Sequence, residues 1–459
     1  MIIIKGGHIV TPLAVYASDI AVEGSKIKSV EPNIDHSPGD RVIDASGALV
    51  FPGFIDAHTH FDMNNGVMTT ADDFASGTKA AIIGGTTTII DYATQNNGET
   101  LTQALRAWHQ KADGVCSCDY GFHMAITDWN YAIATQLLNM VSSGVTSFKL
   151  YMAYDALRLD DEDIIDVMSH MKLLKTLACV HCENGDLVNY LVSQQKLKGN
   201  LSPSAHPASR PAQVEAEALS RLLYISDIID WPVNIVHLSS ALGLGEVRKA
   251  RARGQKVFVE TCPQYMLLDE GLYSLEGFES AKYVCSPPLR SKYDVGEIAG
   301  AAVAGEIDTI ATDHCSYNYK WQKMTGVNDF SDIPNGLPGV EFRPGLIYGQ
   351  FVKAGLMKAE TMCALLSERP AKLYGLYPRK GALLEGSDAD IVIWKNADIK
   401  ANCANQHMKC DYSPFEGMDM GGRAETVLLR GEVIVENGEV ANAGRGIYLK
   451  RDLPMIDQM

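Results

Sequence analysis

The chain has 459 residues, 46% hydrophobic and 21% charged, a balance ordinary for a globular protein with a sizeable buried core. Lys and Arg number 40 against 56 Asp and Glu, and the net charge of −16 argues against nucleic acid or an anionic membrane as partner while leaving a small neutral ligand open. No apolar run reaches the ~18 residues of a membrane span, "MIIIKGGHIV" does not read as a signal peptide, and the ten cysteines are expected to be reduced thiols of a cytoplasmic protein.

In chain order, the first fifty residues read as short strands. "MIIIKGGHIV", "ASDIAVEGSKIKSV" and "RVIDASGALV" are β-branched or alternating and end in Gly, Pro or Asp turns. The end of the chain is similar, with "LLEGSDADIVIW", "ETVLLRGEVIVENGEV" and "GRGIYLKR" divided by Gly and Asn-Gly turns. Two such ends are expected to join in one small discontinuous β-sandwich domain, residues 1–52 with 373–459. The intervening 53–372 would form a separate body.

That middle has another rhythm. Eight apolar runs are expected as strands, at 53–58, 86–93, 118–126, 146–153, 177–183, 233–239, 256–262 and 307–314. Helix-like stretches such as "DDFASGTKAAIIGG", "DEDIIDVMSHMKLLKT" and "GLGEVRKARARGQ" lie between them. Strand–helix alternation implies parallel pairing, and eight units imply a distorted (β/α)8 TIM-like barrel.

Chemistry in such a barrel sits at the C-terminal ends of the strands. "GFIDAHTHFDM" ends the first strand in His58-Thr59-His60, and an H-x-H on a strand places both imidazoles on one face. Further strands carry Lys149 in "SFKLYMAY", His181 in "VHCE", His237 in "VHLS" and Asp313 in "ATDHC". Alone, each histidine would read as a hydrogen-bonded core residue, as His123 does, and Lys149 would suggest a misplaced strand. Together they place four imidazoles, a carboxylate and a lysine at one mouth. Imidazole and carboxylate suit zinc and similar divalent ions, and this set is too large for one catalytic zinc. Two metals about 3.5–4 Å apart need a bridging carboxylate. Lys149, costly as a buried ammonium, would supply one if its amine added CO₂ to become a carbamate. The C-x-x-C in "CVHC" does not read as a metal site, because residues three apart on a strand face opposite ways.

These segments, with "DYGFHMAIT", "ETCPQYMLLDE", "KYVCSPPLR", "IPNGLPGVE" and "DYSPFEG", resemble in order the dihydropyrimidinase/hydantoinase family of the amidohydrolase superfamily. The resemblance implies two zinc ions per chain, one held by His58, His60, carboxylated Lys149 and Asp313, the other by Lys149, His181 and His237. It implies a bridging hydroxide, substrate contacts at Tyr154, Ser286 and Asn335, a small cyclic diamide substrate, and a homotetramer. Asp313 would act as general base then acid, and the Tyr154 hydroxyl would stabilise the oxyanion. The reaction expected is ring opening to an N-carbamoyl amino acid. Rival readings are an allantoinase-type ureide hydrolase and a non-catalytic scaffold like the collapsin-response-mediator proteins, which lack the full ligand set. A dihydroorotase is disfavoured, because Asp62 stands where it would place an arginine. The segments "DMNNGVMTTADD", "YATQNNGE" and "DALRLDDED" are expected to form the rim, the last being phenylhydantoinase-like.

Overall fold

The computed structural model describes all 459 residues. The chain opens with β1 (Ile2–Val10), β2 (Val15–Glu23), β3 (Lys26–Glu31), β4 (Arg41–Asp44) and β5 (Leu49–Pro52). Its last strands are β14 (Ile391–Asn396), β15 (Gly422–Leu429), β16 (Glu432–Glu436) and β17 (Glu439–Val440). All nine join in one sheet, in the order β17-β16-β15-β14-β5-β1-β2-β3, with β4 alongside β1. The seam is β5 against β14, where Ile391 pairs with Pro52 antiparallel. Ile4, Ile20, Val50, Ile391 and Leu428 pack a core of their own within this sandwich.

Between the ends lie β6 (Phe54–Thr59), β7 (Thr86–Thr94), β8 (Asp119–Ala125), β9 (Ser147–Tyr151), β10 (Leu177–His181), β11 (Val233–Ile235), β12 (Val257–Thr261) and β13 (Thr309–Ile310). They pair in sequence order, parallel throughout. Nearly every residue in them is buried, as expected of parallel strands covered on both faces by side chains and helices. A parallel bridge between Thr59 and His314 brings the first strand back to the last. His60 N–H donates to His314 O at 2.8 Å there. The distorted (β/α)8 barrel and the β-sandwich built from both chain ends therefore match the expectation from sequence.

Local chemistry sets the helices that space these strands. Asp73 caps the helix Phe74–Ile83 by accepting from Ser76 N–H, and Gly85 at φ 92° turns the chain into β7. Asp160 caps the helix Asp161–Leu174, whose first turn is acidic, matching the positive end of the helix dipole. The longest helix, Ala212–Ile229, is not apolar enough to cross a membrane, and neither is any other.

Below the barrel, the C-terminal residues leave the sheet. Leu449 N–H donates to Tyr120 O, and Arg451 Nη1 reaches Ser147 Oγ at 2.9 Å. Leu373, Tyr374, Leu449 and Ile456 seal the floor against Ile55 and Ala57. The functional mouth is left at the opposite, C-terminal end of the strands.

Candidate active site

β6 presents His58 inward, and His60 follows on the same side, with ring centroids 5.2 Å apart. Buried Asp56 on β6 has a fastening role. Its carboxylate accepts from Thr312 N–H at 3.1 Å and from Thr312 Oγ1 at 2.7 Å, which ties the Asp313 loop to the first strand. Asp313 Oδ1 lies 3.1 Å from both His58 Nε2 and His60 Nε2. Ligand atoms from these three residues all fall within 4.8 Å of one another.

Across the mouth, His181 Nδ1 faces His237 Nε2 at 3.0 Å. Lys149 stands between the two groups on β9 with 1% of its surface exposed. Its Nζ lies over the rings of Tyr92 and Tyr151, 4.7 and 5.3 Å from their centroids. Burial pushes its ammonium pKa down, and Asp313 and Glu260 only partly oppose this. Burial of this kind shifts a lysine toward its neutral, nucleophilic form.

The donor set fits a divalent cation. His58 Nε2 is buried with only Asp313 Oδ1 beside it and no aligned hydrogen bond, and buried His60 Nδ1 has no partner in the protein. Leaving such nitrogens unpaired costs ~1–3 kcal/mol each. In two of the four rings, His58 and His181, one nitrogen is engaged in the pattern that orients metal ligands. His58 Nδ1 meets Glu260 Oε1 at 2.6 Å, and His181 Nε2 meets Glu183 Oε2 at 2.9 Å. Arg210 Nη1 also donates to Glu183 Oε2, at 2.6 Å. Burial would raise the Glu183 carboxyl, but Arg210 and His181 hold it down at about 2.

Above this floor opens a cavity of about 670 Å³. All nine residues expected from sequence line it: His58, His60, Lys149, Tyr154, His181, His237, Ser286, Asp313 and Asn335. Tyr154, His237 and Asp313 also have positive φ of 68°, 43° and 51°. Non-glycine residues rarely adopt this conformation, so the surrounding structure must impose it at these three points. Burial raises the Tyr154 phenol to about 12, so it stays protonated and able to donate. Asn64, Gln95 and Asp155, from the three expected loops, also line the cavity, with Gln95 buried.

Other groups lie apart from this chemistry. His123 is satisfied in the core, bonded to Ser147 Oγ at 2.6 Å and Ala57 O at 2.9 Å. The Cys182 thiol donates to Val180 O and Cys179 packs beside Asn234, so "CVHC" forms no site. The residues not anticipated from sequence are Glu260, Glu183 and Arg210. Glu183 follows His181 by two positions, a spacing that could have drawn attention. Glu260 gives no such signal, because its partner lies 202 residues away.

The sequence matches the amidohydrolase family over residues 49–434. It is 41% identical to a D-hydantoinase of Geobacillus stearothermophilus over 453 residues, covering 98% of this chain and 96% of that one. It is 38% identical to a D-phenylhydantoinase of Escherichia coli strain SE11, covering 98% of both. The crystal structure of dihydropyrimidinase from Brevibacillus agri NCHU1002 superposes with a TM-score of 0.97 at 38% identity, covering 98% of this chain and 99% of that one.

Proposed function

The chain belongs to the amidohydrolase family, in its hydantoinase and dihydropyrimidinase branch, and on that premise we propose that it opens the ring of D-5-substituted hydantoins to N-carbamoyl amino acids. The observation that carries this reading is the convergence of four imidazoles, Asp313 and a lysine without an ion-pair partner on one cavity. The D preference and the aryl-type substituent follow the D-hydantoinase and D-phenylhydantoinase relatives.

His58, His60 and Asp313 would hold one divalent ion, most simply zinc, and His181 and His237 a second. Lys149, carboxylated on Nζ, would bridge them. The ions would supply Lewis acidity and a water acidic enough to be deprotonated near neutral pH. Carboxylation turns a costly buried cation into an anion among cationic partners.

The remaining steps belong to the protein's own side chains. Asp313 takes a proton from the attacking water as its oxygen bonds to the ring carbonyl carbon. The charge that develops on the carbonyl oxygen is met by the Tyr154 O–H. As the ring carbon–nitrogen bond breaks, Asp313 returns the proton to the leaving nitrogen. Ser286 and Asn335 hold the imide edge of the ring and so decide which carbonyl is attacked.

The ten unpaired cysteines suit a reducing compartment, and we place the protein in the cytoplasm. Assembly as a homotetramer is implied by the family resemblance and is read by light scattering. The activity is tested by incubating zinc-loaded protein with 5-substituted hydantoins, dihydrouracil, allantoin and dihydroorotate, and measuring product chirality. Ring opening of a hydantoin to a D-N-carbamoyl amino acid supports the proposal. Turnover of allantoin alone would assign a ureide hydrolase instead.

A further inference from the structure

We propose that Lys323, remote from the reacting atoms, is a positioning residue that holds the two substrate-binding segments, around Ser286 and around Asn335, in one fixed arrangement. Its side chain is fully buried, yet it makes no salt bridge. Its Nζ donates to three main-chain carbonyls: Val284 O at 2.7 Å, Gly336 O at 2.8 Å and Pro334 O at 3.0 Å. Val284 lies two residues before Ser286, and Pro334 and Gly336 bracket Asn335. One ammonium thus joins both segments that line the cavity, and its three donors match the three acceptors. Gly336 N–H donating to Val284 O at 3.1 Å completes the link.

The bonds also set the direction of the peptide groups. In a planar trans peptide the carbonyl and the following N–H point opposite ways. With Pro334 O turned onto Lys323, Asn335 N–H points away from it. Neither Asn335 N–H nor Ser286 N–H has an acceptor in the protein. Two unspent donors beside the cavity are what a ring carbonyl or imide edge would accept from. His206 Nε2, 2.7 Å from Cys285 O, anchors the same segment from its other side. Gly336, at φ 151°, has no room for a side chain, because a Cβ there would lie 2.3 Å from Cys315 O. The arrangement has little freedom to shift once Lys323 is in place.

A buried ammonium without a counter-ion is expensive. An apolar residue would avoid that cost but strand three carbonyls. The ionisable groups around Lys323 are the thiols of Cys285, Cys315 and Cys410 and the imidazole of His206, and none supplies a carboxylate. Burial accordingly lowers the Lys323 ammonium to about 8. Once deprotonated, the amine offers two hydrogens to three carbonyls, and one loop loses its tie.

This inference rests on the hydantoinase reading, and the two fail differently. If the activity is misassigned, wild-type zinc-loaded protein leaves hydantoin and dihydrouracil intact. If it is correct, Lys323→Met should keep its zinc content while KM for a 5-substituted hydantoin at about pH 7 rises about tenfold or more and kcat falls by less, since a displaced ring edge weakens binding. Wild-type protein gives the same test without a substitution. Its KM for dihydrouracil, whose ring nitrogens stay protonated, should rise as the pH passes about 8, while zinc content stays constant. A KM within about twofold of wild type in folded, zinc-loaded Lys323→Met would overturn the positioning role. Should that variant not fold, a KM within about twofold of wild type in folded, zinc-loaded Lys323→Gln would overturn it.

Discussion

Glu183 is fully buried beside His181 and orients its imidazole. Its buried Oε2 takes a 2.9 Å bond from His181 Nε2 and a 2.6 Å bond from Arg210 Nη1. The first bond leaves Nδ1 as the nitrogen that faces His237. Glu183→Gln keeps the volume but removes the charge and offers one carbonyl oxygen to two donors. Loss of such an orienting partner typically costs 10–100-fold in metal affinity, or about 1.4–2.7 kcal/mol. The loss should fall on the ion proposed for His181 and His237 and spare the one proposed for His58, His60 and Asp313. Equilibrium dialysis at limiting free zinc should therefore find about one zinc per chain where about two are expected of the wild type. A chelator competition then gives the affinity of the weakened site, and a thermal melt reports folding. Two zincs bound with affinity within about twofold of wild type would refute the orienting role.

Further outcomes follow from single side chains. Lys149→Ala should lose zinc and activity together, and acetate or propionate added with zinc should restore part of the activity by filling the bridging position; full metal binding without added carboxylate would remove Lys149 from the bridge. Tyr154→Phe should lower kcat on hydantoin by about 10²–10³ with zinc content unchanged, the cost of one oxyanion donor; a change confined to KM would make Tyr154 a binding group only. Lys380, 1% exposed, pairs with Asp119, Asp390 and Asp388 at 2.6, 2.7 and 3.1 Å. Lys380→Met should destabilise the fold by about 3 kcal/mol, because it leaves buried Asp390 without a cation while Asp119 keeps Arg430 and Asp388 keeps Lys26 and Arg379. Burial would raise the Asp388 carboxyl, but Lys380 and Lys26 hold it at about 2. Its stabilising effect is thus complete above the ordinary carboxylate value near 4 and lost as pH falls toward 2, which an acid-unfolding series on wild type should show.

Much of the architecture was legible because parallel barrel strands are buried on both faces. Runs such as "TTTIIDYA" and "LACVHCE" therefore stand out as apolar segments of strand length. The same contrast exposed the site, since Lys149, His181 and His237 interrupt those runs with groups that burial penalises. Asp56, in the same run as His58, was harder to place. Its partner Thr312 comes from the far end of the barrel and is visible only once the ring closes. Glu260 hides for a similar reason, being one polar residue in "VFVETC" whose imidazole partner lies on the first strand. Lys323 sits in a polar stretch, "YKWQKMTG", that reads as exposed turn. Only the fold shows its ammonium enclosed by three carbonyls from two other segments. In the sandwich, strand character was readable from alternation. The insertion of β5 between β14 and β1 was not, because edge pairing depends on contacts between the two chain ends.

The central claim is that a two-metal centre on this barrel opens hydantoin rings. Protein stripped with chelator and then titrated with zinc in bicarbonate buffer, with ring opening of a 5-substituted hydantoin followed at each step, tests it most directly. No turnover is expected in the stripped protein, and activity should rise to a plateau at about two zinc equivalents per chain. Turnover that survives complete metal removal, or a plateau at about one equivalent, would contradict it.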